Sequence, residues 1–303
     1  MLAITYNEFG GPDVLHLTEV DQPHPGPGQV RVRVVAVGVN PSDYKIREGW
    51  LQAVFPTKFP AIPGGEMAGV VDEVGEGVTE VAVGEEVLGW SDTGAYAQYA
   101  LATKVVRKPE SLPWETAVAV PVAGETALRV LGLLGVTSGE TLLLHGAAGA
   151  VGTITMQVAA QRGVTVIGTA SPANHDYLRS LGAVPVTYGD GLVDRVRALT
   201  PQGIDAVFDA AGRDALPASI ELRGGPDRII TIADPQASAF GVRFAAGTED
   251  GRSIQAVAEI AGLVADGKLQ VTTSAAYALA DAAEAAKLSQ AGHLRGKIAL
   301  LVD

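Results

Sequence analysis

The sequence has 303 residues, 34 acidic against 22 basic side chains, a formal net charge of −12 and no cysteine. The absence of cysteine excludes disulfides, thiolate zinc sites, iron–sulfur clusters and cysteine nucleophiles. The acidic excess argues against a nucleic-acid-binding surface, which needs clustered Lys and Arg, and the 47% hydrophobic content argues against a disordered chain.

The chain length corresponds to about two domains of ordinary size. No basic segment followed by an apolar run stands at the N-terminus, and no apolar run approaches the roughly 18 residues that a membrane span requires. We therefore expect a cytoplasmic protein with no membrane partner, in which the acidic excess serves solubility.

Residues 1–117 have the pattern of a β-rich domain. The segment 30–37 (VRVRVVAV) alternates apolar and polar side chains with period two, as a half-buried strand does. Residues 68–74 and 86–90 predict further strands, separated by Gly-rich turns. Short strands at this spacing favour a small barrel.

From residue 118 to about 245, apolar strand-like runs alternate with helical stretches. The predicted strands are 141–145, 164–169, 184–187, 204–209 and 227–232, and the helices between them are 151–162, 174–181 and 192–199. Continuous apolar strands alternating with helices are typical of a parallel sheet covered on both faces. This region is therefore predicted to be an α/β domain with a doubly wound parallel sheet.

The rest of the chain combines both kinds of element. Its predicted helices are 253–265 and 279–290, and its predicted strands are 270–273 and 297–302. We expect the closing strand to return to the first region, so that residues 1–117 and 246–303 form one discontinuous domain around a central domain of residues 118–245.

The strongest local signal lies between the predicted strand 141–145 and the helix after it, where residues 145–152 are HGAAGAVG. A Gly-rich turn there lets the backbone approach a pyrophosphate, which the first amides of the helix bind. The run departs from the strict G-x-G-x-x-G pattern, and small residues also serve to pack a helix on a sheet. Its strand–turn–helix context favours a dinucleotide site. The residues expected to bind the cofactor there are Ala148, Gly149, Ala150 and Val151.

The next strand bears on which dinucleotide is bound. NAD-specific folds place an Asp or Glu about 20 residues beyond the turn, where it binds the ribose 2′-hydroxyl. Here the strand ends in Thr169 and Ser171, followed by Asn174 and His175, with no carboxylate. Small polar groups suit a 2′-phosphate and favour NADP(H). Ser171 also stands where it would cap the following helix, and the two roles are compatible.

Six segments, in this order and spacing, resemble the medium-chain dehydrogenase/reductase superfamily, and within it the zinc-independent NADPH:quinone oxidoreductases (the zeta-crystallin-like family). They are VNPSD at 39–43, PGGEMAG at 63–69, GETA at 124–127, the Gly-rich turn, FDAAG at 208–212 and GHLRGK at 292–297. The resemblance covers nearly the whole chain. It implies a GroES-like β-barrel domain built from both chain ends and a central Rossmann domain that binds NADPH.

The resemblance also implies that no catalytic metal is used. Zinc-dependent relatives bind the metal through a Cys and the His of a Gly-His-Glu motif, whereas this chain has Gly64-Gly65-Glu66 and no cysteine. Without a Lewis acid, no metal polarises the carbonyl group in an alcohol–ketone interconversion. Conjugated acceptors depend less on a metal, because the negative charge that arrives with the hydride delocalises over them. We therefore expect hydride transfer from NADPH to a quinone or an α,β-unsaturated carbonyl in a cleft between the domains.

The same resemblance assigns roles to individual residues. Asn40 is expected near the nicotinamide or the substrate oxygen, and Asp43 is expected to organise its loop. Tyr44 and Lys45 are both candidates for the proton donor, because many relatives have a Tyr at the position that Lys45 occupies, and water is a third source of the proton. Ser171 corresponds to the 2′-phosphate contact, with His175 where relatives commonly have a Lys.

Further residues are implied at the two ends of the cofactor and at the substrate. The additional cofactor contacts are Thr126, Tyr188, Ala210, Ile232, Ala233, Phe244 and Lys297, and the substrate contacts are Tyr44, Trp50 and Phe55. For Trp50, Phe55, Tyr188 and Phe244, packing in a core is an equally good explanation.

Two other functions stay open. An enoyl-thioester reductase would need a basic docking patch, which this acidic chain does not clearly show. A non-catalytic NADPH-binding sensor is disfavoured by the presence of Asn40 and Thr126. Finally, residues 240–245 (FGVRFA) predict an apolar edge strand of the Rossmann sheet, and an apolar edge invites pairing, so we expect a homodimer through that edge.

Overall fold

The computed structural model describes residues 1–248 and 251–303. The chain divides into two compact units, one formed by Met1–Val122 with Ile254–Asp303 and the other by Ala123–Ser253. Both boundaries fall later than the predicted positions after residues 117 and 245. The first boundary lies within the first turn of the helix that begins at Pro121, and the second lies at the start of the helix that begins at Ile254.

The first unit consists mainly of strands. Numbered along the chain, its strands are β1 (Leu2–Thr5), β2 (His16–Glu19), β3 (Val30–Val39), β4 (Glu66–Val74), β5 (Glu86–Trp90), β6 (Tyr99–Ala102), β7 (Val105–Arg107), β14 (Thr273–Ala278) and β15 (Lys297–Leu301). Its helices are α1 (Pro41–Arg47), α2 (Trp114–Ala117), α8 (Ile254–Ala265) and α9 (Ala282–Ala291).

The main sheet of this unit has the strand order β14-β15-β3-β4-β5-β7, and β6 also pairs with β3. Strand β15 pairs antiparallel with β3, with Ile298 opposite Val39. The predicted return of the closing strand to the first region is therefore confirmed. The predicted strand at 270–273 is wrong, because β14 starts at Thr273 and its small side chains alternate only between half-buried and exposed, which leaves little apolar signal.

The core of this unit lies where β3, β4, β15 and α9 pack together. Its buried side chains include Val32, Val37, Met67, Ala285 and Leu300. The long strand β3 is buried along most of its length because strands pair on both sides of it. It therefore provides a rigid base for the residues that follow it.

The second unit is an α/β domain. Its strands are β8 (Thr141–His145), β9 (Thr165–Thr169), β10 (Val184–Val186), β11 (Ala206–Asp209), β12 (Ile229–Thr231) and β13 (Arg243–Phe244). Its helices are α3 (Pro121–Leu134), whose first two residues belong to the first unit, α4 (Ala150–Gln161), α5 (His175–Ser180), α6 (Leu192–Leu199) and α7 (Ala215–Arg223).

All pairs in its six-stranded sheet are parallel, in the order β10-β9-β8-β11-β12-β13. This order is the doubly wound Rossmann arrangement, in which the chain winds outwards from β8 in one direction and then in the other. All five residues of β8 are buried, the three central leucines as their apolar run predicts and the polar Thr141 and His145 with them.

One stretch of the described residues, Trp114–Leu134, has the length and hydropathy of a membrane span. The sequence pattern does not predict this stretch as a span, because Glu125 and Arg129 interrupt the apolar run. The most apolar window of this stretch is 72% buried inside the protein. A buried core helix passes the same test of length and composition, so the stretch is weak evidence for a membrane contact.

An ion pair holds the amino ends of β8 and β12 in the second unit. Arg228, just before β12, donates two hydrogen bonds, of 2.7 and 2.9 Å, to the carboxylate of Glu140, just before β8. The guanidinium also donates to the carbonyls of Leu134 and Gly135 at 3.2 and 3.3 Å. These bonds from Arg228 lower the pKa of Glu140 from its ordinary 4.5 to about 2.

Replacing Glu140 by Gln should therefore lower the free energy of unfolding by about 1 kcal/mol at neutral pH, a modest value because solvent screens the pair. Since the pKa is lower in the folded state, this contribution is complete above about pH 4.5 and is lost as the pH falls towards 2. Urea unfolding of both proteins across this range would measure the difference. Glu259→Gln serves as the control, because Glu259 is exposed and makes no ion pair within the described residues. A destabilisation by Glu140→Gln that does not change with pH would contradict the role given to the ion pair.

Candidate active site

The carboxyl edge of the six-stranded sheet brings together the cofactor residues predicted in the second unit, apart from Thr126. The turn after β8 contains Ala148–Val151. The other predicted residues lie at or just after the carboxyl ends of their strands: Thr169, Ser171, Asn174 and His175 at β9, Tyr188 at β10, Ala210 at β11, Ile232 and Ala233 at β12, and Phe244 at β13. Ligands of doubly wound sheets bind at this edge, where neighbouring strands lead the chain in opposite directions. Here that point lies between β8 and its neighbours β9 and β11.

The turn after β8 is shaped by two glycines. Gly146 has a φ of +73°, a conformation that favours glycine. A Cβ on Gly152 would lie 2.6 Å from the Cα of Ala147, so the first turn of α4 contacts the backbone of the preceding loop. The first amides of α4 have no acceptor within the helix and are available to an anion. This cradle fits the pyrophosphate of a dinucleotide.

The residues after β9 form a short polar segment. Ser171 occupies the N-cap position of a single helical turn at 172–174, but its hydroxyl makes no capping hydrogen bond. Instead, the Asn174 side chain donates to the Ser171 hydroxyl at 3.4 Å, and the imidazole Nε2 of His175 lies 3.5 Å from the Thr187 hydroxyl. The capping explanation for Ser171 is therefore not supported by the structure.

The loop after β10 is organised by a residue that the sequence analysis missed. The guanidinium of Arg195 donates to the carbonyls of Thr187, Tyr188 and Gly189 at 2.9 to 3.4 Å, and to that of Asp190 at 2.8 Å. Tyr188 remains 44% exposed, so it is not a core aromatic. A single arginine in α6 gives no sequence signal for this role, because it binds only backbone carbonyls.

The loops after β11 and β12 share the buried carboxylate of Asp209. One of its oxygens accepts the backbone N–H groups of Ala211 and Gly212, both at 2.9 Å, and the other accepts the hydroxyl of Thr231 at 2.7 Å. The Thr231 hydroxyl in turn accepts the N–H of Ala233 at 3.1 Å. The backbone around the predicted residues Ala210, Ile232 and Ala233 is thus held in one conformation.

His145, the last residue of β8, is buried and neutral. The Ser219 hydroxyl donates its only hydrogen to the carbonyl of Ala215 at 2.7 Å, so it accepts a hydrogen from His145 Nε2 at 2.9 Å. Nδ1 then accepts the hydroxyl of Thr169 at 3.3 Å. Burial lowers the pKa of His145, and the charge of Asp209 opposes that change. Thr169 therefore has a structural role at the end of β9, and its contact with the cofactor stays a prediction.

Two other predicted residues of this unit also have defined positions. Thr126 in α3 is 7% exposed, and its hydroxyl accepts a hydrogen bond from Arg129 at 3.4 Å. Phe244 is 40% exposed, so it is not a core aromatic either.

In the first unit, Asn40 lies between two buried charged side chains. Its amide Nδ2 donates to Glu66 at 2.7 Å, and its carbonyl Oδ1 accepts a hydrogen bond from Lys297 Nζ at 2.5 Å. Lys297 and Glu66 also form a direct ion pair, in which they are 3% and 0% exposed. The second carboxylate oxygen of Glu66 accepts the N–H of Val122 at 2.7 Å. A direct contact of the buried Lys297 with the cofactor stays a prediction.

Glu66 is a second site residue whose role was not predicted from the sequence. The sequence showed it only as part of the segment where relatives bind zinc, although an acidic residue at the start of the apolar strand β4 needs a buried partner. Gly38 makes room for the pair: a Cβ there would lie 2.7 Å from Glu66 Cδ and 2.8 Å from Lys297 Cε. The strands β15, β3 and β4, which are adjacent in the sheet, place these groups side by side.

Asp43 organises the start of α1. Its carboxylate accepts the backbone N–H of Asn40 at 2.8 Å and the phenol of Tyr96 at 3.1 Å. Burial raises the pKa of Asp43 to about 6, while the Asn40 N–H and the charge of Lys297 act in the opposite direction. Burial also raises the pKa of Tyr96 well above its usual range, so the phenol keeps its proton and donates it.

The remaining predicted residues lie on α1 and the turns after it. Tyr44 lines a small cavity together with Asn40, Asp43 and Tyr96, and its ring makes an edge contact with Trp50 at 6.0 Å between centroids. Trp50 is 65% exposed, which excludes core packing, and Phe55 is half-buried. Lys45 is half-buried on α1, next to Tyr44 in the chain.

The part of the chain that the structure describes contains no group of three or more His, Asp or Glu side chains that could hold a metal ion. At the place of the metal ligand in zinc-dependent relatives, Gly65 follows Gly64, and the whole sequence lacks cysteine. The residues present therefore do not fit a catalytic zinc ion.

The two units and their sites define a medium-chain dehydrogenase/reductase. Residues 26–110 match the alcohol dehydrogenase GroES-like domain, and residues 181–300 match the zinc-binding dehydrogenase domain. The chain is 31% identical over 326 aligned positions to a quinone oxidoreductase of Pseudomonas aeruginosa, with 98% of each chain covered. It belongs to the quinone oxidoreductase family.

Solved structures of quinone oxidoreductases have the same fold as this chain. The quinone oxidoreductase from Coxiella burnetii has a TM-score of 0.89 and 31% identity, over 100% of this chain and 99% of that one. The Escherichia coli quinone oxidoreductase complexed with NADPH has a TM-score of 0.88 and 25% identity, over 99% of this chain and 100% of that one.

Two other relatives match over only part of their own length. The chain is 36% identical over 281 residues to polyketide synthase GfsB of Streptomyces halstedii, a match that covers 88% of this chain but 5% of that protein. It is 34% identical over 195 residues to a chloroplast envelope quinone oxidoreductase homolog of Arabidopsis thaliana, which covers 60% of this chain and 59% of the relative.

The close packing of Glu66 and Lys297 against Gly38 can be tested by measuring the free energy of unfolding. Gly38→Ala should lower the free energy of unfolding by about 2 kcal/mol, because the added methyl displaces the Glu66–Lys297 pair from a packed site. Gly262→Ala in α8 is the matched control, since nothing lies within 4 Å of the added methyl and a helical Ala should raise stability by about 0.5–1 kcal/mol. Chemical denaturation measures both, and a Gly38→Ala protein as stable as the wild type would show that the pair has room to move.

Proposed function

We propose that this protein is an NADPH-dependent, zinc-independent reductase that transfers a hydride to a quinone or an α,β-unsaturated carbonyl. The observation that carries the proposal is the turn after β8, where Gly146 and Gly152 allow a close backbone approach and the amides of α4 are open to a pyrophosphate. The complex of the E. coli relative with NADPH supports the choice of cofactor.

The bound nicotinamide would supply the hydride, and the protein would supply position and polarity. The loops held by Asp209 and Arg195 are fixed by hydrogen bonds within this unit, so little ordering remains for a nucleotide to impose. In the first unit, Asn40 and Tyr44 line the same small cavity, and the Asn40 amide would contact the oxygen of an acceptor molecule. Trp50, exposed and in contact with Tyr44, would form an apolar wall for a planar ring.

NADPH is proposed rather than NADH because no carboxylate stands at the end of β9. The segment instead carries the hydroxyl of Ser171, the amide of Asn174 and the imidazole of His175, which are hydrogen-bonding partners for a phosphate. An Asp or Glu in this place would repel the 2′-phosphate.

The proposed chemistry needs no metal. A conjugated acceptor spreads the charge that arrives with the hydride over its π-system, and a hydrogen-bond donor at its oxygen stabilises what remains there. The proton that completes the reduction comes from Tyr44, Lys45 or water. Tyr44 is favoured among the side chains, because it lines the same cavity as Asn40.

A second candidate is an enoyl-thioester reductase. The observation in its favour is the match to polyketide synthase GfsB, at 36% identity. The acidic surplus of the chain disfavours docking of an acidic carrier.

We further propose a homodimer through β13. This strand lies at the edge of the six-stranded sheet, and its two residues, Arg243 and Phe244, are exposed in the single chain. A second copy of the same edge would complete the backbone hydrogen bonds of both strands. Sedimentation of the wild type and of a variant with Pro at Phe244 would test it, with a monomeric wild type as the opposing result.

The cofactor site can be tested at Gly149. Its φ of −73° accepts alanine, and the added methyl would meet only the carbonyl of Gly146, at 3.5 Å, so the fold should be unaffected. We expect Gly149→Ala to weaken NADPH binding roughly tenfold or more by standing between the backbone and the pyrophosphate. Calorimetric titration and a melting curve measure the two effects. Gly132→Ala in α3, with nothing within 4 Å, is the control, and unchanged affinity in Gly149→Ala would place the nucleotide elsewhere.

The reaction can be tested by following nicotinamide absorbance with a quinone, an enone and an enoyl thioester as acceptors. We expect turnover with a quinone or an enone, a clear preference for NADPH over NADH, and no loss of activity in EDTA. Turnover of the thioester alone would favour the second candidate, and equal use of NADH would contradict the argument from Ser171. Tight NADPH binding with no turnover of any acceptor would contradict both enzyme functions.

A further inference from the structure

The carboxamide of Asn40 is bound at both ends by groups of fixed hydrogen-bonding polarity. The ammonium of Lys297 has only hydrogens to donate, and it contacts Oδ1 at 2.5 Å. The carboxylate of Glu66 has only lone pairs, and it accepts from Nδ2 at 2.7 Å. The orientation of the amide is therefore determined by the chemistry of its two partners.

Rotating this amide by half a turn would be strongly unfavourable. It would set Nδ2 against the ammonium and Oδ1 against the carboxylate, replacing two charge-assisted hydrogen bonds by two repulsive contacts. Asn40, Glu66 and Lys297 are all nearly inaccessible to solvent, so water does not compensate for the lost bonds. A single orientation of the side chain is populated.

In this orientation one hydrogen remains available. Oδ1 is engaged by Lys297, one hydrogen of Nδ2 is engaged by Glu66, and no second acceptor contacts Nδ2 among residues 1–248 and 251–303. We propose that Glu66 and Lys297 are positioning residues that fix Asn40 as a hydrogen-bond donor, so that this site takes its ligand through an acceptor oxygen, the carbonyl oxygen of the substrate. This proposal rests on the proposed reductase function.

The positions of Glu66 and Lys297 are set by rigid elements. Lys297 begins β15, Glu66 begins β4, and β3 runs between these two strands and leads directly to Asn40. The absent side chain of Gly38 leaves the space that the pair fills, and the N–H of Val122 holds the second oxygen of Glu66. A donor built on adjacent strands is more precisely placed than one on a free loop.

A donor in this place matches the charge that reduction creates. When the hydride reaches a conjugated carbonyl compound, the new C–H bond takes the electron pair, the nicotinamide is oxidised, and negative charge collects on the carbonyl oxygen. An N–H group at that oxygen stabilises the transition state more than the ground state. The oxygen or the adjacent carbon then takes one proton, which completes the balance.

The orientation itself can be tested without turnover. In a spectrum of the 15N-labelled full-length protein, we expect the side-chain amide of Asn40 to give two well-separated proton signals, one protected from exchange, before any ligand is added. The signals are identified by their disappearance in Asn40→Asp, and they should move towards free-amide positions in Glu66→Gln. An Asn40 amide that exchanges freely in the wild type would overturn the proposal whether or not the variants fold.

Kinetics separate positioning from general stability. We expect Asn40→Asp, which replaces the donor by an acceptor of the same shape, to lower kcat by roughly 100-fold. Glu66→Gln should lower kcat roughly tenfold while the KM for NADPH stays within about twofold. If this variant is unstable, the charge-neutral Glu66→Gln/Lys297→Met variant should show a similar loss of kcat. The control is Glu86→Gln, which breaks a different pair in the same unit, that of Glu86 with the buried Lys108 at 2.9 Å, and should leave kcat unchanged.

The outcomes are distinguishable. A folded Glu66→Gln protein with wild-type kcat, or an equal loss in Glu86→Gln, would overturn the positioning role. Absence of turnover in the wild type would contradict the proposed function, while the amide spectrum would still decide whether the orientation of Asn40 is fixed.

Discussion

The buried ion pair between Glu66 and Lys297 is the interaction on which the first unit and its candidate site depend. It joins the start of β4 to the start of β15, across a strand whose Gly38 has no side chain to obstruct it. Buried pairs often contribute little net stability, because removing two charges from water offsets their attraction. The pair has a clearer effect on geometry, because each charge accepts only one polarity of partner, and Asn40 lies between them.

In the second unit, a single buried carboxylate fixes the geometry of two loops at the candidate site. Asp209 is inaccessible to solvent, and it satisfies its oxygens with two backbone amides and the hydroxyl of Thr231. Arg195 fixes the loop after β10 by donating hydrogen bonds to its backbone carbonyls. In both units, polar side chains below the surface hold the backbone that a ligand would meet. Such preorganisation lowers the cost of binding, since fewer groups lose freedom when the ligand arrives.

Much of this organisation was predictable from the sequence. The strands β5 and β8 and the helix α6 have the predicted bounds, because their patterns are strong and their ends are marked by turn residues. The predicted cofactor residues of the second unit other than Thr126 lie along one sheet edge, as expected where parallel strands end. β14 was misplaced because its small residues carry little apolar contrast. Glu66 and Arg195 were missed because their partners are distant in the chain or belong to the backbone.

By itself, the sequence determined the class of fold, the Gly-rich turn and the absence of cysteine ligands, since all three depend on residue types at short spacing. It also identified Asn40 as a site residue through its resemblance to a family. Only the tertiary structure decided which end of the Asn40 carboxamide is available, because that depends on an acid 26 positions away and a lysine 257 positions away. The local sequence pattern determines which helix or strand a segment prefers and which turn it forms. Whether a buried group is left as a donor or as an acceptor depends on the side chains that the fold brings into contact with it.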